Sequence, residues 1–100
     1  MSVVLKETAP RHFSVEGELT FATVMPLWRK TQPLLARASG KVIIDLQGVT
    51  RADSAALGLL VEWLRLGAKR DLSLSFQRPP PHLITMASAY NLTPLLPIHG

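Results

Sequence analysis

Asp45, Asp53 and Ser54 are the residues of this 100-residue chain whose types and spacing come nearest to a reaction centre. Two converging carboxylates can divide the work of general acid and base, and a serine becomes a nucleophile when a base stands beside it. Asp45, however, ends an apolar run, and Asp53 stands where a helix would begin and reads as its cap. No base is suggested next to Ser54. His12, His82 and His99 fall in a strand, a turn and the tail, without the spacing that metal ligands need. The absence of cysteine excludes a disulfide framework, a thiolate zinc site and a cysteine nucleophile. The chain carries no P-loop, no GxGxxG fingerprint, no HExxH and no GxSxG elbow. It reads as non-enzymatic, with no cofactor and no metal.

The elements that would position these residues follow from periodicity. Val3–Lys6 and His12–Glu16 alternate like strands, and Thr8-Ala9-Pro10 between them suggests a hairpin turn, with Gly17 breaking the second run. Val24, Leu27, Trp28, Leu34 and Leu35 recur at helical spacing within 21–38, with Thr20 or Thr23 as cap. Pro33 suggests a kink or two shorter helices there, and Ser39-Gly40 ends the segment. Lys41–Leu46 is the clearest strand; its near-continuous Val-Ile-Ile run reads as covered on both faces. A loop over Gln47–Ala52 leads to a helix from Ala55 to about Lys69, capped by Asp53 or Ser54. Leu72–Phe76 alternates as a further strand, Arg78-Pro79-Pro80-Pro81 turns stiffly into a last helix over His82–Tyr90, and Asn91–Gly100 reads as extended or irregular. Strands alternating with helices favour parallel pairs with helices packed on the sheet.

Composition narrows the functions open to such a domain. At 47% apolar and 18% charged residues, the chain is built to bury a core and is too weakly charged for a disordered tail. One hundred residues make one domain. The net charge of +4 is carried by scattered basic residues whose longest runs are pairs, and aromatics are only 6%. That lacks the basic face with stacking aromatics of a nucleic-acid binder. The opening Met1–Glu7 has no basic run ahead of an apolar stretch, as a signal peptide would. No apolar stretch reaches the ~20 residues that span a bilayer. A soluble, cytoplasmic protein is expected.

The unit Val42-Ile43-Ile44-Asp45-Leu46, a short loop, then Asp53-Ser54-Ala55-Ala56-Leu57 opening a helix, resembles the signature of the STAS domain, named for sulfate transporters and anti-sigma factor antagonists. Leu83–Leu92 is similar to that family's last helix, and the order of elements matches over nearly the whole chain. The resemblance implies a single STAS domain over 1–100. Its fold would be α/β: a mixed, mostly parallel sheet of about four to five strands with about three to four helices packed on it. In anti-sigma factor antagonists a kinase phosphorylates the serine two places after the aspartate; here that place holds Ala55, and Ser54 is the hydroxyl on offer. The chain is similar instead to the small cytoplasmic STAS subunit of bacterial lipid-asymmetry ABC transporters, where a hydroxyl residue directly follows the aspartate. Trp28 in the first helix and the Tyr90-Asn91-Leu92 ending are shared features.

That resemblance implies a non-catalytic subunit docking on an ABC transporter ATPase and reaching the membrane only through its partners. The alternative partner is an anti-sigma factor kinase, with Ser54 as possible phosphoacceptor. Arg51, Asp53, Ser54 and Ala55 at the helix start are the implied contacts. The residues themselves add a second line. On a helix from Ala55 to Lys69, Leu57, Leu60, Val61, Leu64 and Ala68 form the expected core stripe, whereas Leu59, Trp63 and Leu66 fall on roughly the opposite side. Either a neighbouring helix covers that second stripe or it is an exposed patch, and Trp63 near Arg65 and Arg70 has the composition of an interface hot spot.

Overall fold

A computed structural model describes residues 3–99, the side chain of His99 excepted. Met1, Ser2 and Gly100 lie outside the described residues, and with them part of the signal-peptide reading and the last position of the tail. The chain opens with strands β1 (Val3–Ala9) and β2 (His12–Leu19), followed by α1 (Val24–Arg37), β3 (Lys41–Ala52), α2 (Ser54–Lys69), β4 (Ser73–Gln77) and α3 (Pro81–Ala89). A short 3-10 turn over Thr93–Leu95 leads into β5 (Ile98–His99). One five-stranded sheet runs in the order β1-β2-β3-β4-β5, antiparallel between β1 and β2 and parallel elsewhere. The expected mixed, mostly parallel α/β architecture is what the chain adopts.

Because the strands march one way across the sheet, connections of the usual hand place every helix on the same face. Burial shows the result. Val42, Ile44 and Leu46 of β3 are buried, as are Phe13 and Val15 of β2 and Leu74 and Phe76 of β4. Their alternate neighbours Ile43, Asp45, Ser14 and Ser75 are only half-buried. The expectation that β3 is covered on both faces is therefore corrected: Ile43 lies on an open, mostly polar face, and one residue cannot reveal that the layer beyond it is missing.

Other boundaries move for local reasons. The hairpin turn is Pro10-Arg11, with Arg11 at φ 62°. β2 continues through Gly17 (φ 110°) by way of register shifts against β3. The expected loop Gln47–Ala52 extends β3 instead, since Gly48 lets that strand close on β2: a Cβ at Gly48 would stand 2.7 Å from the Glu16 side chain. α1 runs as one helix through Pro33, not as two. The tail, expected to be extended or irregular, is extended at its end and returns to the sheet as β5, with Ile98 beside Phe76.

Candidate functional site

Both long helices start at the C-terminal end of the parallel strands, and Asp53 ties the two starts together. Its Oδ1 accepts the Ala55 amide at 2.9 Å, capping α2, and its Oδ2 accepts the Phe21 amide at 3.0 Å, ahead of α1. Its own amide donates to the Leu19 carbonyl at 3.1 Å. At the α1 start Thr23 caps with backbone rather than side chain: its Oγ1 donates to the Glu18 carbonyl at 2.7 Å and accepts the Thr20 amide at 2.9 Å. Asp53 is thus a brace for two helix ends. Asp45 lies on the open sheet face, accepts the Gln47 amide at 2.9 Å and pairs with Arg78. Both carboxylates are engaged by backbone amides, and that of Asp45 by Arg78 as well.

Ser54, Gly58, Glu62 and Arg65 form the exposed ridge of α2. Glu62 and Arg65 pair across one turn at 3.1 Å, which at this exposure contributes little stability. Apolar grooves flank the ridge. On the α1 side, Val24, Met25, Trp28, Ala55 and Leu59 line an open groove of about 420 Å³. On the other side, Leu57, Val61, Tyr90 and Leu92 line a second of about 540 Å³. Gly58 and Glu62 border both. A Cβ at Gly58 would meet nothing within 4 Å, so the missing side chain leaves a saddle joining the grooves. Phe21 is 86% exposed, Met25 52% and Tyr90 60%, so large apolar side chains stand on both flanks of the ridge.

The second stripe read from the sequence is not exposed. Trp63 has no solvent exposure, and Leu59 is 4% exposed. The indole Nε1 donates to Thr31 Oγ1 of α1 at 2.8 Å, and its ring stands 6.3 Å from that of Phe76. The physical reason is that α1 packs beside α2 on the sheet, so α2 buries Ala56, Leu57, Leu59, Leu60, Trp63 and Gly67 together. Val61 and Leu64, assigned to the core stripe, are only half-buried, and Ala68 is exposed. Of the residues singled out, Arg51 and Ser54 are exposed, Asp53, Ala55 and Leu66 half-buried, and Leu59 and Trp63 removed from the surface. Sequence reading missed Phe21, Met25, Gly58, Glu62 and Tyr90. A glycine in mid-helix was a signal, since glycine there is unfavourable without a compensating reason.

Exposed apolar side chains beside two grooves have the features of a binding surface. No cluster of potential metal ligands occurs among the described residues. A family model described as "Mlab, STAS domain" matches residues 4–97. The chain belongs to the STAS domain family. It is 29% identical over 80 residues to the intermembrane phospholipid transport system binding protein MlaB of Haemophilus influenzae, an alignment covering 77% of this chain and 76% of that one. Two solved structures share the fold. A putative anti-sigma factor antagonist from Thermotoga maritima superposes with a TM-score of 0.81 at 18% identity, over 98% of this chain and 86% of that one. The unphosphorylated anti-sigma factor antagonist SpoIIAA does so at 0.72 and 17%, over 99% and 88%. STAS domains of this kind are generally binding proteins, as the sequence suggests for this chain.

Proposed function

We propose that the chain is a non-catalytic subunit of a phospholipid-transporting ABC system, docking on its ATPase through the ridge of α2 and the two grooves beside it. The observation that carries this reading is the MlaB-type family match over residues 4–97. The docking face rests on exposed Met25 in one groove and Tyr90 in the other, with exposed Phe21 at the helix start where Asp53 accepts its amide. Apolar side chains left in water around a shaped depression mark an interaction site. Phe21 and Tyr90 are of the type that anchors interfaces. Arg51 and Ser54 border the face at the end where the helices begin. Ala55 occupies the place two after Asp53, with no hydroxyl to phosphorylate, and this favours a transporter subunit over a kinase-controlled switch. No helix among the described residues is long and apolar enough to cross a membrane.

Co-purification of the tagged chain with the transporter ATPase of the same organism tests this. The wild-type chain brings the ATPase down, and Phe21→Asp, which adds charge at an exposed position, releases it without loss of fold. An anti-sigma kinase in place of the ATPase would overturn the reading.

A further inference from the structure

The basic residues that look scattered along the chain are not scattered in space. Three cations pair with acids: Lys6 with Glu16, Arg65 with Glu62 and Arg78 with Asp45. Of the remainder, Arg11, Arg37, Lys41, Lys69 and Arg70 are all exposed and share the end of the sheet where the parallel strands begin. The backbone fixes this. The Arg11 carbonyl accepts the Ile43 amide at 2.9 Å, and the Gly40 carbonyl accepts the Ser73 amide at 2.9 Å. The hairpin turn, the α1–β3 loop and the α2–β4 loop therefore lie side by side. Glu7 and Asp71 are the acids at this end, leaving it net positive.

Two of these cations have an ordinary explanation, since Arg37 and Lys69 close helices whose C-terminal dipoles favour positive charge. Arg11 has none. It follows Pro10 in the two-residue turn at φ 62°, a conformation that glycine or asparagine adopts at less cost. Asp71, Arg78 and Asn91 take the same conformation at other turns, so the surroundings of Arg11 and not its turn single it out. Arg11 also borders a cleft of about 330 Å³ with Arg37 and Ser39. Phe13, Leu34 and Ala38 supply apolar lining, and Glu7 stands at the same cleft.

We propose that this end of the domain binds the headgroups of anionic phospholipids at a membrane surface. Arg11 and Arg37 would take a phosphate at the cleft, and Lys41, Lys69 and Arg70 would supply the surrounding field. Guanidinium groups beside apolar lining suit a phosphate attached to glycerol and acyl chains. Among the described residues His12 is the one exposed ring beside Arg11, and the exposed Phe21 and Tyr90 stand by the docking face, so this end has no ladder of rings to stack successive bases, which disfavours a nucleic acid. The inference is independent of the ATPase docking face, whose grooves run along α2 from Ser54 to Glu62, away from Lys69 and Arg70.

The test is co-sedimentation of the full chain with phosphatidylcholine vesicles, with and without phosphatidylglycerol. The chain binds the mixed vesicles and not the neutral ones, and raised salt weakens binding. Each basic residue near an anionic surface contributes about fivefold in affinity. Arg11→Gly therefore lowers binding about fivefold while its melting temperature rises, because glycine relieves the strain. Arg11→Gly with Arg37→Gln lowers it roughly 25-fold, and Arg78→Gln, at the far end, leaves it unchanged. Equal binding to both vesicle types overturns the proposal, as does an Arg11→Gly chain that binds like wild type. Displacement by millimolar inorganic phosphate at constant ionic strength, or preference for single-stranded RNA over the vesicles, overturns it in favour of a free anion or a nucleic acid.

Discussion

Replacing Gly58 separates stability from docking. The residue lies inside α2, exposed, and an added Cβ would meet nothing within 4 Å. Alanine then acts on the folded chain mainly through helix propensity, where glycine is worse by about 0.8–1.0 kcal/mol. Gly58→Ala should stabilise the domain by about that amount, which raises the melting temperature by roughly 4–8 °C for a chain of this size. The same methyl group stands in the saddle between the two grooves, where a partner would approach the helix backbone. Overfilling a closely packed contact costs about 1–3 kcal/mol, so Gly58→Leu should weaken ATPase binding roughly 5- to 150-fold. Thermal unfolding followed by circular dichroism reads the first effect, and titration calorimetry against the purified ATPase reads the second. A destabilised Gly58→Ala would show that the space around Gly58 is filled. Wild-type affinity in Gly58→Leu would show that the saddle is no contact.

The remaining expectations concern the brace and the core. Thr31→Val removes the acceptor of the buried Trp63 indole; an orphaned buried donor costs about 1–3 kcal/mol, read as a lower urea midpoint at unchanged slope. Thr20 is 7% exposed and its Oγ1 lacks a hydrogen-bond partner among the described residues. Thr20→Val should therefore be neutral or stabilising by about 1 kcal/mol in the same assay. Asp53→Ala removes acceptors at two helix starts and should cost at least the ~1 kcal/mol of an ordinary cap. Ser54→Glu places an exposed acid at the positive end of α2, so stability should hold or rise slightly while ATPase affinity falls; unchanged affinity in calorimetry would remove Ser54 from the contact.

The fold was legible where one element's own pattern decides its state. Lys41–Leu46 reads as a strand, and Asp53 reads as the cap of the helix that follows, because alternation and capping are local. Failures arose where a second element decides. Leu59 and Trp63 looked like a surplus stripe because α2 seen alone gives no sign that α1 lies against it. Thr31, the partner of Trp63, is separated from it by the whole of β3. The tail could be read as extended but not as a sheet strand, because the two residues of β5 pair only once α3 has carried the chain back to β4. Of the proposed docking face, Ser54 is named by the motif. Phe21, Met25 and Tyr90 are not, since an exposed aromatic or methionine looks like a core residue until the fold shows which way it faces. The grouping of Arg11, Arg37 and Lys69 at one end is likewise invisible along the chain.

Site-specific photo-crosslinking tests the docking face most directly. A photoreactive phenylalanine analogue at Phe21 or Tyr90 should crosslink to the transporter ATPase in cells, and the same analogue at Ser75, on the open face of the sheet, should not. Crosslinks from Ser75 with none from Phe21 or Tyr90 would contradict the account and move the contact to the uncovered side of the sheet.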